Sequence, residues 1–249
     1  MKKMKVICFY WEGDRWRSDF TKDMPTDASY KTAIERTGPV STELASTYVN
    51  NLYKGVKKHA VVDFDFICFT NEPLEVMEGI ELRTFPMLTD KGVLPRLYMF
   101  SPEAGLSGHH VLCIDIDVII MGSLEKIMAY DGLFCARSKF RHRDHWKLDG
   151  DVMSFKAGPE VEKIFWEPFI ADVDAAVRLA NGRERYWIRH VANKLAERWD
   201  DVAPGAIVSY KWHVLKKRMP TTAAIISCHG IPRPHQVLVK EYQMHWNGK

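Results

Sequence analysis

Short apolar runs of strand length alternate along this chain with longer stretches in which apolar residues recur every three or four positions. Residues 5–11, 64–70, 80–85, 111–120, 132–137 and 150–158 read as strands, as do the late runs AIVSYK and AAIISCHG. Between them, 41–59 reads as an amphipathic helix: Ser and Thr open it, and Leu44, Tyr48, Leu52 and Val56 follow at i+4 spacing. Residues 94–105 read as a helix stopped by Gly105, a short helix follows Gly122, and 160–180 and 184–199 read as two longer helices. Residues 12–28 read as a polar loop. Strands alternating with helices predict an α/β sandwich with a mainly parallel sheet, and the absence of repeats or Gly/Ser/Pro linkers predicts one domain over 1–249.

One strand-like run breaks the pattern. In VLCIDIDVII, residues 111–120, seven positions are aliphatic, yet Asp115 and Asp117 interrupt them. In an extended chain i and i+2 share a face about 6.6 Å apart, and two carboxylates so placed repel by roughly 2–3 kcal/mol at an effective dielectric of about 20. A positive group is expected beside them; the bland alternative is a pair capping loop amides at a strand end. Ligands of parallel sheets gather beyond the carboxyl ends of strands, and the polar endings CFYWEGD, CFTNEP, CIDID and SCHG point to a site there.

Composition adds limits. The chain has 249 residues, 46% hydrophobic and 27% charged, and a net charge of +3, too small an excess to argue for nucleic acid. The basic opening MKKMKVICFYWEGD carries too short an apolar stretch for a secretory leader and reads as a first strand. Five cysteines without a C-x-x-C pair fit buried free thiols in a reducing, cytoplasmic setting better than disulfides or zinc.

TYVNNLYKGVKKH, FDFICFTNEP, PRLYMFSPEAGLSGHHVLCIDIDVIIMGSLEKI, DGDVMSFKAG, SYK and IISCHGIPRP occur in that order. They resemble bacterial nucleotide-sugar glycosyltransferases of the GT-A fold, close to the glycogenin and lipopolysaccharide galactosyltransferase group (family-8-like), across roughly residues 5–235. The resemblance implies a GT-A, Rossmann-like three-layer sandwich and transfer of a hexose from a nucleotide-sugar, UDP foremost, with retention, to a saccharide or lipid-linked acceptor. It implies a metal site at Asp115, Asp117 and His229. Oxygen and imidazole ligands suit Mn²⁺ somewhat better than Mg²⁺ and would relieve the repulsion of the aspartates.

The same resemblance nominates Arg96 and Arg233 at the donor phosphates, Gly230 for close backbone approach, Asn71 and Trp11 at the base or ribose, and Asp149 and Asp151 at the sugar. Glu184, in NGRERYWI, is implied as the acid on the reacting face, the alternative being a structural Glu at a helix N-terminus. Asp149 and Asp151 stand where the family carries small neutral groups, and Arg183 and Arg185 where it carries acids or amides. RSKFRHRDHW (137–146) is the most basic stretch; His142 and His145 lack a third ligand, and the run reads as a solvated loop or a contact to an anionic acceptor.

Competing functions are a nucleotidyltransferase, disfavoured because no G-x-G follows the first strand, and a degenerate fold that binds glycan or nucleotide without catalysis. No nucleic acid is expected as a partner. The C-terminal EYQMHWNGK would support at most peripheral membrane contact.

Overall fold

The computed structural model of the protein describes residues 3–12, 41–89, 93–140, 146–217, 222–229 and 232–248. Most of the 12–28 loop, Gly230, His142 and His145 lie outside the described residues.

Seven strands form the main sheet: β1 (Met4–Tyr10), β2 (Phe64–Thr70), β3 (Ile80–Arg83), β4 (His110–Ile114), β6 (Phe134–Ser138), β7 (Leu148–Lys156) and β8 (Glu197–Arg198). Their order is β3-β2-β1-β4-β7-β6-β8. The β3-β2-β1-β4 half is parallel throughout, and β7 runs antiparallel to both neighbours. A second sheet holds β5 (Val118–Ile120), β10 (Ile225–Ser227) and β9 (Ile207–Ser209), with β10 in the middle. The mainly parallel α/β sandwich expected from the pattern is the fold observed.

β1 is buried on both sides, as a central parallel strand must be. Val6, Cys8 and Tyr10 enter one apolar cluster and Ile7 and Phe9 the other, the period-2 alternation of an extended chain. On the first face lies α1 (Thr42–His59), where the Ser41 side chain accepts from the Leu44 amide at 3.2 Å and Lys57, Lys58 and His59 occupy the last turn. These are the capping and dipole placements that favour a helix at each end. Tyr48, Val49, Leu52 and Val56 of α1 are fully or almost fully buried, each such side chain contributing roughly 1.5–3 kcal/mol by its removal from water. On the other face pack the 3-10 segment Leu94–Phe100 and two later helices, α2 (Val173–Ala180) and α3 (Glu184–Ala192). Near the C-terminus, α4 (Lys240–Trp246) rests against α1. Among the described residues no helix is long and apolar enough to cross a membrane.

Five expectations need correction. VLCIDIDVII is not one strand: β4 ends at Ile114, residues 116–117 turn, and β5 joins the second sheet. The aspartates therefore do not share a strand face. The expected helix at 94–105 is two 3-10 segments, Leu94–Phe100 and Pro102–Ala104, although Gly105 ends them as anticipated, with φ +68°. The 160–180 run breaks at Asp172, whose side chain caps α2 through the Ala175 amide at 2.8 Å, and 184–199 stops at Ala192 before β8. AIVSYK is strand only at Ile207–Ser209; Tyr210–Lys216 coils into a π-helix.

Candidate active site at the strand ends

β4 delivers Asp115 at its carboxyl end, and the reversal of β7 brings the start of that strand to the same place. The Asp115 amide donates to the Asp151 carbonyl at 2.8 Å, and the Asp117 carbonyl accepts from Cys228 N–H at 3.1 Å. Pairing of β6 with β7 jumps from Ala136–Met153 to Arg137–Asp149, a bulge that leaves residues 150–152 without an in-register β6 partner. Such bulges re-aim side chains at strand ends. Here the bulge turns Arg137 onto the β7 carboxylates. Its Nε lies 2.7 and 2.9 Å from the two Asp151 oxygens, and Nη2 is 3.4 Å from Asp149.

A second buried arginine serves the other carboxylates. Arg96 Nη1 is 2.6 Å from Asp115 Oδ1 and 3.4 Å from Glu184 Oε1, and Nη2 donates to Cys113 Sγ at 3.1 Å. Burial works against its charge, but Asp115, Cys113 and Glu184 outweigh burial and raise its pKa. Burial also pushes the Asp115 carboxyl well up; Arg96 opposes this, while Asp117, Asp151 and Glu184 add to it. Asp149 differs: burial disfavours its charge, yet Arg137, Arg185 and Arg189 hold it below the usual carboxylate range.

Glu184 is the first residue of α3 and is buried. The chain enters that helix through Asn181 and Gly182, both at positive φ (47° and 67°), as the Asn-Gly pair suggests. Gly150 permits the approach of Glu184: a Cβ on Gly150 would stand 2.8 Å from Glu184 Oε1.

Asp117 acts electrostatically on the Asp115 carboxyl and the Cys228 thiol, and on a cation, Lys211. It acts also on the Tyr48 hydroxyl, where Arg233 acts with the opposite sign. His229 shares a hydrogen bond between Nε2 and Ser209 Oγ at 2.8 Å and stacks on Phe140 with centroids 5.4 Å apart. Burial is the main reason that its pKa falls to about 4, with Arg137 and Lys211 adding to the fall. The imidazole is therefore neutral near pH 7.

The fold thus gathers Asp115, Asp117, Asp149, Asp151, Glu184, Arg96, Arg233 and His229 at one end of the sheet. It does not bring Trp11 or Asn71 there as binding groups. Trp11 is buried in the apolar cluster, edge-on to Phe85 at 5.7 Å. The Asn71 amide clamps the Phe85 backbone, donating to its carbonyl at 3.0 Å and accepting from its N–H at 3.1 Å. Asp151 is also reassigned: Arg137 takes both its oxygens, and the Val152 amide donates to Oδ1 at 3.1 Å. It is a buried counter-ion here, not an open hydroxyl acceptor. Sequence reasoning missed Arg137, Arg189 and Lys211. A basic residue ending the apolar run GLFCAR was the available signal for Arg137.

A divalent cation requires several of these groups to face one point. The donor chemistry suits one, with two carboxylates and a neutral imidazole. The arrangement does not: among the described residues no three His, Cys, Asp or Glu side chains are grouped to hold a metal ion. Asp115 is engaged by Arg96, and His229 by Ser209.

No protein-family model matches the sequence, and no curated protein does. Solved structures match by fold. The apo WbbM bifunctional glycosyltransferase aligns with TM-score 0.58 at 10% identity, over 93% of this chain and 46% of that one. The glycosyltransferase GlyE of Streptococcus pneumoniae TIGR4 aligns with TM-score 0.60 at 12% identity, over 99% of this chain and 60% of that one. This chain spans about half of the first and three fifths of the second. At such identities the likeness is one of fold, and the fold is that of these glycosyltransferases.

Proposed function

We propose that this chain, acting as one domain, is a glycosyltransferase that moves a hexose from a nucleotide-sugar, UDP-linked, to a saccharide or lipid-linked acceptor, with retention at the anomeric carbon. The narrower kinship with the glycogenin and lipopolysaccharide galactosyltransferase group, and a cytoplasmic location, belong to the same proposal. The observation that carries it is the convergence, at the carboxyl end of β4, of carboxylates with buried or half-buried cations.

In the transfer the bond from the anomeric carbon to the diphosphate oxygen breaks and a bond to the acceptor oxygen forms. Charge develops on the leaving diphosphate, and fixed cations aimed at developing charge are among the largest contributors to catalysis. Lys211 and Arg233, gathered near Asp117, are the groups assigned to it. The acceptor's proton passes to the departing diphosphate, so the site needs no separate strong base. Asp149 and Glu184, pinned by Arg137 and Arg96, face the sugar. Mn²⁺ is proposed as cofactor on the donor chemistry of Asp115, Asp117 and His229 alone, which would have to draw together around it, and no step here runs through it.

Nucleoside diphosphate release from UDP- and GDP-sugars, with Mn²⁺ and after chelation, tests the reading. Release from one donor is expected, and Lys211→Ala should lower it by about two orders of magnitude, as the loss of one preorganised charge-stabilising group does. A protein that neither cleaves nor binds any nucleotide-sugar or nucleoside diphosphate is not a transferase.

A further inference from the structure

One cluster of charge beside the site helps keep Asp149 ionised and has no part in the diphosphate chemistry. Tyr186, in the first turn of α3, is surrounded by guanidinium groups: Arg183, Arg185 and Arg189 stand 5.4, 5.6 and 5.1 Å from its ring centre. Arg183 Nη1 donates to the Tyr186 hydroxyl at 3.0 Å. After the opposing effect of burial, Arg183, Arg185 and Lys139 pull the phenol pKa down, the mark of a positive local potential.

Among the described residues the acids that act on the cluster do not balance this charge. Asp149 and Glu184 are the carboxylates that act on Arg185 and Arg189. Each is already engaged by another arginine, Asp149 by Arg137 at 3.4 Å and Glu184 by Arg96 at 3.4 Å. Arg185 reaches Asp149 only at 3.6 Å. Two donor atoms of the cluster, Arg185 Nε and Arg189 Nη2, are buried without a hydrogen-bond partner among the described residues. Arg189 is fixed beside them by its Nε bond to the Leu148 carbonyl at 2.6 Å. Buried unsatisfied donors are costly, and a packing role for Tyr186 would not need three arginines around it.

Their first electrostatic partners differ from those of the diphosphate groups. Lys211, in the π-helix after β9, is acted on by Asp117, and Arg233, in the C-terminal segment, acts with Asp117 on the Tyr48 hydroxyl. The Tyr186 cluster belongs with Asp149 and Glu184, which the proposed function places at the sugar. A group bound by Arg185 and Arg189 would adjoin the sugar rather than the leaving diphosphate.

We infer that Arg183, Arg185 and Arg189 around Tyr186 form a subsite for an anionic substituent, phosphate or carboxylate, on the acceptor saccharide. This inference rests on the transferase reading for the word acceptor. Guanidinium forks match both anions in bidentate geometry. The acceptor class is accordingly a phosphorylated or acidic glycan and not a neutral one.

Calorimetric titration of the full chain with glucose 6-phosphate, glucuronic acid and glucose, each with UDP present, tests it. At least one of the two anionic sugars should bind about tenfold more tightly than glucose, the worth of one charge-assisted hydrogen bond; which one binds better identifies the substituent. In Arg185→Gln and Arg189→Gln the preference should vanish while UDP affinity moves by less than about twofold, as for independent sites. Equal binding of charged and neutral sugars by the unmodified protein overturns the inference without needing a variant. Parallel loss of UDP and sugar-phosphate affinity overturns it too, by assigning the cluster to the donor diphosphate. Anion preference in a protein that ignores UDP would instead sink the transferase reading and leave the anion subsite standing.

Discussion

Arg137 shows how much of the site depends on single buried charges. Its side chain is almost wholly buried, and it neutralises an Asp151 buried nearly as deeply. Arg137→Ala leaves that carboxylate uncompensated, a loss of about 3–5 kcal/mol for such pairs. Urea denaturation should record it, and pairing Arg137→Met with Asp151→Leu should recover much of it, because the lone charge and not the missing bond is the larger cost. Gly150 supplies the opposite case. Gly150→Ala meets the end of the flexible Glu184 side chain at 2.8 Å, so stability should change by less than about 1 kcal/mol while donor turnover falls. That split, read from urea curves beside diphosphate release, separates a displaced carboxylate from a damaged fold.

Between elements the close approaches are less forgiving. A Cβ on Gly55 of α1 would stand 2.9 Å from Ile120 Cβ in β5, both fully packed. Overpacking of this kind costs about 1–3 kcal/mol, and Gly55→Ala should lower the urea midpoint accordingly with the slope unchanged. Elements with long, single-period patterns were legible: β1, β2 and α1 lie within a residue of their expected bounds. Those that failed share a cause. In 94–105, 160–180 and 111–120 the hydrophobic pattern continues across a break in backbone geometry, because both sides of the break face the same core, and in 184–199 it runs on to Trp199 in the other cluster. Periodicity reports the face that is buried; it does not register where hydrogen bonding changes partner. The strand-end rule pointed to a candidate site, and Asp115, Asp149 and Glu184 stand among the same buried arginines there. Trp11 and Asn71 misled because a residue at a strand end can turn inward as easily as outward.

At the scale of the molecule four histidines, three of them half-buried and His235 exposed, weaken the fold as the pH falls. His229 has a pKa of about 4 in place of 6.5, and His59, His213 and His235 are also lowered, burial being the first cause in each. Between those values the unfolded chain takes up protons that the folded chain refuses. The contribution of His229 is intact above pH 6.5 and is lost as the pH falls towards 4, and the other three act in the same direction. Replacing His229 by Asn should flatten the pH dependence of the urea midpoint across that window; an unchanged slope would mean that the ring titrates normally.

The chain between Asp115 and Asp117 is also where it leaves one sheet for the other. Asp115 is tied to the main sheet through Asp151, and Asp117 to the smaller sheet through Cys228. The two carboxylates are therefore hinge-pins on opposite leaves, and their spacing is a gauge of how the leaves sit together. A donor that engages both would rivet the seam. Its signature would be slowed amide exchange at Asp115 and Cys228 together on nucleotide-sugar binding, a mechanical record of occupancy that could be read before any sugar is transferred.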